Sequence, residues 1–167
     1  MSLEVKICLY DGRPEMLAKL LRPLVMTNGV FDVLHRGHVN YLQGTADLGA
    51  SLLVAVNSDA SARMLGKGSD CPLNAAKDRA YVLAGLSSVS LVIFFDSSTP
   101  VELIRALRPD VYVKGGDYDR EELEETQVVR NYGGLSVAIT YLEGFSTTSL
   151  IQRICQTQPV QASYGLR

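Results

Sequence analysis

From Leu24 onward, short runs of apolar, largely β-branched residues alternate with longer stretches in which apolar positions recur every three or four residues. Runs of the first kind fall at 24–27, 52–57, 91–95, 110–113 and 137–142. Nearly unbroken apolar runs are what strands covered on both faces require, and strands alternating with helix-length segments mark βαβ units. The pattern predicts an α/β fold, an open parallel sheet of about five strands with helices on both faces and right-handed crossovers.

Helices are expected at 39–48, 75–86, 100–108, 121–132 and 147–156. The third has the most explicit start: Thr99 as cap, Pro100 at the first helical position and Glu102 closing a capping box, with a stop at Arg108-Pro109. Gly133-Gly134 supplies a left-handed end for the fourth. The pattern before the first run differs. Residues 14–21 read as a short amphipathic helix, so 1–23 is expected to be an N-terminal extension, 24–156 the main domain and 157–167 a fraying tail.

Composition narrows the function classes. A chain of 167 residues with 47% hydrophobic and 20% charged residues can bury one substantial core. No apolar run approaches the roughly 20 residues that span a bilayer, and Glu4, Lys6 and Asp11 interrupt the place of a signal sequence, so a cytoplasmic protein with no membrane partner is expected. Cys8, Cys71 and Cys155 are odd in number and far apart, which indicates neither a disulfide framework nor a thiolate zinc site. A net charge of -2 argues against nucleic acid as a partner and leaves any anionic substrate to local basic residues.

The chemistry concentrates in Thr27-Asn28-Gly29-Val30-Phe31-Asp32-Val33-Leu34-His35-Arg36-Gly37-His38. It follows the first predicted strand, carries two glycines and places both histidines of the chain three residues apart where a helix begins. Ligands of open α/β sheets bind beyond the carboxyl ends of the strands, and helix N-terminal N–H groups attract phosphate. Imidazoles at i and i+3 can aim two donors at one anion, which suits a phosphoryl group as its bond breaks. Two simpler readings stand beside this one: ordinary cap histidines, or half of a metal site that carboxylates would complete.

Further along, Ser146-Thr147-Thr148 puts hydroxyls and free N–H groups at the start of the last helix, either a second phosphate cradle or a plain N-cap. Asp117, after Gly115-Gly116, suits ribose hydroxyls or a simple turn. Lys67, flanked by Gly66 and Gly68, is a candidate for the leaving pyrophosphate, and Arg63 or Arg79 for a sugar phosphate; each reads equally as a solvated surface charge.

His35-Arg36-Gly37-His38 resembles the HxGH signature of the nucleotidyltransferase superfamily that includes the cytidylyltransferases. Lys114-Gly115-Gly116-Asp117-Tyr118 and Glu143-Gly144-Phe145-Ser146-Thr147-Thr148 follow in that family's order. The version here is similar to that of the heptose-1-phosphate adenylyltransferases, over 28–154. The resemblance implies a Rossmann-like fold, an ATP co-substrate, Mg²⁺ with no dedicated protein cage, a homodimer or higher homo-oligomer, and adenylyl transfer to D-glycero-D-manno-heptose 1-phosphate for bacterial surface polysaccharide. It implies nucleotide contacts from Asn28, Gly29, Val30, Phe31, Gly37, Lys114, Gly115, Asp117, Ser146, Thr147 and Thr148. His35, His38 and Lys67 then act on the reacting phosphates, and Asp32, Arg63 and Arg79 on the acceptor. The chain departs from the family pattern at Cys71, where an arginine usually precedes the proline.

The expected mechanism is in-line attack of an acceptor phosphate oxygen on the α-phosphorus. A phosphate monoester with a second pKa of about 6 is already ionised at neutral pH, so no general base is needed. The alternatives are cytidylyl transfer to glycerol 3-phosphate or ethanolamine phosphate, and a nucleotide-binding module without catalysis.

Overall fold

A computed structural model describes residues 3–9, 17–66, 71–116 and 123–157. Six parallel strands form one sheet: β1 (Ile7–Leu9), β2 (Leu24–Gly29), β3 (Ser51–Asn57), β4 (Leu91–Phe95), β5 (Val111–Gly115) and β6 (Leu135–Ile139). Their spatial order is β1-β4-β3-β2-β5-β6. The chain winds outward from β2 through β3 to β4, then returns to the other side of β2 for β5 and β6. That reversal leaves a crevice between the carboxyl ends of β2 and β5, where α/β sheets bind ligands.

Helices α1 (Arg36–Ala46), α2 (Asp59–Met64), α3 (Ala76–Ala84), α4 (Val101–Leu107), α5 (Glu124–Asn131) and α6 (Thr147–Gln156) fill the connections. Period-two alternation in the strands splits the core into two layers. Leu24, Met26, Leu53, Ala55 and Ile93 pack under Ile104 and Leu107 of α4 and Val128 and Val129 of α5. Val25, Leu52, Val54, Val56 and Val92 pack under Tyr41 and Leu42 of α1 and Ala80, Leu83 and Ala84 of α3. All seven residues of β3 are buried, as a central strand covered on both faces must be.

The α/β sheet with helices on both faces is as expected, with one strand more. The extra strand comes from the segment expected to lie outside the domain: a 3-10 turn at Leu3–Lys6 leads into β1, which pairs with β4 in the register Cys8↔Ile93. Lys6 Nζ donates to Val89 O at 2.8 Å. Three residues are too short a run for alternation to register. Of the helix expected at 14–21, residues 14–16 lie outside the described residues, and 17–20 form a turn closed by Leu20 N donating to Leu17 O at 2.9 Å.

Three boundaries move for local reasons. Helix α1 begins at Arg36, ahead of the expected position 39, because His35 caps it. The capping box expected at Thr99 does not form: Pro100 is the cap residue with no side-chain bond, and Glu102 pairs with Arg105 at 3.3 Å. Strand β6 starts at Leu135, two residues after the positive-φ Gly133, because Leu135 is already in register with Val111. Among the described residues no helix is long and apolar enough to cross a membrane.

Removing residues 1–9 uncovers the outer edge of β4 and takes away the packing of Ile7 and Cys8 against the two core layers. The truncated protein is expected to lose about 1–3 kcal/mol of stability, read as a lower urea midpoint. An unchanged midpoint would show that β1 is not part of the cooperative unit.

Candidate active site

Strand β2 ends at Gly29, and the six residues Val30 to His35 carry the chain across the mouth of the crevice into α1. Phe31 sits there at φ 50°, a left-handed conformation unusual for a bulky residue and held only where surrounding contacts impose it. His35 is the N-cap of α1, extended at φ −141°, with Nδ1 accepting from Gly37 N at 3.1 Å. An accepting Nδ1 puts the proton of the neutral ring on Nε2. The cap reading and the donor reading of His35 are therefore compatible, one nitrogen for each. His38, one turn on, stacks its ring on that of His35 with centroids 4.0 Å apart and takes the edge of Phe31 at 5.6 Å. Gly37 must be glycine because a Cβ there would come within 2.9 Å of the His35 ring.

The crevice has two lobes that share Asn28, Gly29, Val30 and Tyr141. The first, about 270 Å³, is lined by Asn28–Asp32, His38, Ala62, Cys71, Thr147, Thr148 and Ile151. The second, about 280 Å³, is lined by Asn57, Leu65, Ser98, Pro100, Lys114, Gly115 and Glu125. The loop after the second strand and the start of the last helix thus meet in one cavity, although more than a hundred residues separate them. Thr147 Oγ1 donates to Val33 O at 3.5 Å across that junction.

A larger cavity, about 580 Å³, lies at the opposite end of the strands beside Arg22, Arg108 and Tyr132. Its cations are already engaged: Arg22 with Asp110 at 2.8 Å, and Arg108 over the Tyr132 ring at 5.1 Å. Size alone favours that hollow, but the convergence of N–H, imidazole and hydroxyl donors favours the crevice.

The remaining candidates divide. Asn28 lines both lobes, with Oδ1 accepting from Tyr112 Oη at 2.6 Å. Lys114 faces the second lobe paired with Glu125 at 3.2 Å. Gly115 has no room for a Cβ because the Tyr141 ring lies against it. Ser146 is the plain cap of α6, its Oγ accepting from Ser149 N at 3.1 Å. Lys67 and Asp117 lie outside the described residues.

The acceptor-side expectations fare differently. Arg63 is exposed on α2 and lines neither lobe. Arg79 lines neither lobe: its side chain is fully buried and donates to Val30 O, Asn57 O, Asn74 O and the Asp59 carboxylate. Asp32 spends its carboxylate on Leu73 N at 2.7 Å and Asn74 N at 2.8 Å, fastening the loop that carries Cys71. The sequence reading missed Tyr141 and Glu125. Tyr141 had a signal, standing two residues before Glu143-Gly144; Glu125 had none, since its partner Lys114 is eleven residues away with no period connecting them.

Partial burial holds the His35 pKa below its ordinary value of 6.5. The folded state then binds fewer protons than the unfolded one just below that value, so stability is lost as pH falls through 6.5 toward the folded pKa. Between pH 7 and pH 5 the native protein should lose melting temperature by more than His35→Asn, which keeps a cap acceptor but does not titrate. Equal losses would mean that the cap does not sense pH.

The family model described as cytidylyltransferase-like matches residues 26–153. The chain is 58% identical over 150 residues to the D-beta-D-heptose 1-phosphate adenylyltransferase of Bordetella bronchiseptica, covering 87% of this chain and 93% of that protein. It is 49% identical over 131 residues to the bifunctional protein HldE of Geotalea uraniireducens, spanning 78% of this chain but only 26% of that one. Among solved structures, the lipopolysaccharide core biosynthesis protein from Thermoplasma volcanium superposes with a TM-score of 0.58 at 27% identity, over 71% of this chain and 95% of that one. The pantoate-beta-alanine ligase of Francisella tularensis shares the fold alone, with a TM-score of 0.54 at 10% identity over 82% of this chain and 71% of its own.

Proposed function

The chain belongs to the cytidylyltransferase-like family, and on that footing we propose that it transfers the adenylyl group of ATP to D-glycero-D-manno-heptose 1-phosphate. The products are ADP-heptose and pyrophosphate, and the pathway they serve is bacterial lipopolysaccharide or related surface polysaccharide synthesis in the cytoplasm. The name of the Bordetella relative supports the β anomer of the sugar. The observation that carries the reading is the meeting of Asn28–Phe31, His38, Thr147 and Thr148 around one cavity. That donor set suits a polyphosphate, and the adjoining lobe at Lys114 and Gly115 has room for the nucleoside.

The reaction begins with the acceptor phosphate already ionised. One of its oxygens attacks the α-phosphorus in line with the departing pyrophosphate, and the P–O bond to the β-phosphate breaks. Backbone N–H groups of the loop at Val30 and Phe31 hold the phosphates in place. His38 donates to oxygens whose charge grows in the transition state. Stacking on His35 and the edge of Phe31 fix the orientation of that ring. Catalysis by positioning and charge stabilisation requires no base.

Among the described residues no group of three His, Cys, Asp or Glu could hold a metal ion. Mg²⁺ bound together with ATP would offset phosphate charge at this site.

His38→Ala is expected to lower kcat by roughly 10²–10³-fold while the protein stays folded, and full turnover in a folded variant would contradict the role. Pyrophosphate release measured with ATP, CTP, GTP and UTP against heptose 1-phosphates, glycerol 3-phosphate and ethanolamine phosphate should be greatest for ATP with the heptose. Release with CTP and glycerol 3-phosphate would move the chain to the cytidylyl reading. Nucleotide binding without any release would make it a non-catalytic module. Light scattering reports whether it forms the homodimer or higher homo-oligomer implied by the resemblance.

A further inference from the structure

Arg79 lies behind the site. Its guanidinium, with a side chain 0% exposed, gathers three carbonyls from three segments: Val30 O at 2.6 Å, Asn57 O at 2.9 Å and Asn74 O at 2.9 Å. Asp59, at 2.8 Å, balances the charge. Of these four contacts the one to Val30 O is the shortest.

A trans peptide points its C=O and its N–H in opposite directions. The peptide between Val30 and Phe31 is trans, since the cis bonds fall at Pro23 and Pro72. With Val30 O drawn inward to Arg79, the N–H of Phe31 faces the other way, and both residues line the 270 Å³ lobe. Holding a bulky residue at φ 50° requires an external constraint, and the clamp on Val30 O supplies it. Arginine suits this because its planar fork serves several acceptors at once, which a lysine ammonium on a flexible stem cannot reproduce.

We infer that Arg79 is a positioning residue that sets the Val30–Phe31 peptide so that the Phe31 N–H donates to a phosphate of the bound nucleotide, with Asp59 holding the guanidinium in place. This rests on the proposed adenylyl transfer for its kinetic consequence but not for its geometry. It replaces the direct contact with a sugar phosphate that the sequence suggested for Arg79.

The test uses Arg79→Lys, which keeps the charge opposite Asp59 and loses the fork. Two readouts are needed. In steady-state kinetics with ATP and heptose 1-phosphate, kcat should fall roughly 10–100-fold with the sugar phosphate KM within about threefold of native. In amide NMR, a non-hydrolysable ATP analogue should shift the Phe31 N–H strongly in the native protein and weakly in the variant. A raised sugar phosphate KM at native kcat would overturn the inference in favour of direct contact, and so would a Phe31 amide that ignores the analogue in the native protein. If the native protein shows the Phe31 shift but transfers nothing to the heptose, the proposed reaction fails and the positioning role stands. Should Arg79→Lys not fold, Asp59→Asn carries the same two measurements, with a smaller effect in the same direction expected; an unchanged kcat and Phe31 response would overturn the inference.

Discussion

Winding a parallel sheet in both directions from one central strand forces the connections at β2 and β5 apart, and nothing in the sheet itself can fill the gap at their carboxyl ends. The crevice is a consequence of the strand order β4-β3-β2-β5-β6. Its walls are loop backbone and helix starts, which carry unpaired N–H groups by construction. Such a place attracts anions before any side chain is chosen. The side chains then add what backbone cannot: the His38 imidazole on one flank, from the first turn of α1, and the Thr147 and Thr148 hydroxyls on the other, from the first turn of α6.

Donors do this only when they are held. The loop from Val30 to His35 is fastened from below by Arg79 on Val30 O and from the side by Asp32 on Leu73 N and Asn74 N. The His35 cap on Gly37 N starts α1 at the one residue that brings His38 against His35 and Phe31. Two charged residues, Asp32 and Arg79, thus hold loop backbone together. The result is a first lobe lined mostly by backbone, hydroxyl and imidazole groups, with the Arg79 charge behind its wall and the Asp32 carboxylate bonded to backbone N–H groups.

The sheet and its helix layers were legible because burial on both faces writes itself into uninterrupted apolar runs, as in Leu52 to Val56. β1 was not legible, since three residues cannot display a period, and its place depends on pairing with β4 more than eighty residues away. The stretch around His35 and His38 stood out because histidine is rare here and glycine flanks it. Arg79 and Asp32 stand out in the sequence as charged groups, but polarity alone does not say where a side chain is used: that depends on carbonyls and N–H groups supplied by distant segments. The Thr99–Glu102 capping box failed for a related reason, since Glu102 had a nearer partner in Arg105. Tyr141 and Glu125 acquire meaning only once β5 and β6 are paired.

The central claim is that one polyphosphate lies between the loop after β2 and the start of α6. A crystal structure with a non-hydrolysable ATP analogue tests it directly. The account predicts α- and β-phosphate oxygens within about 3 Å of the Phe31 N–H, the His38 ring and a Thr147 or Thr148 donor. Phosphates found instead at the opposite end of the strands beside Arg22 and Arg108, or in the crevice but away from His38, would contradict it.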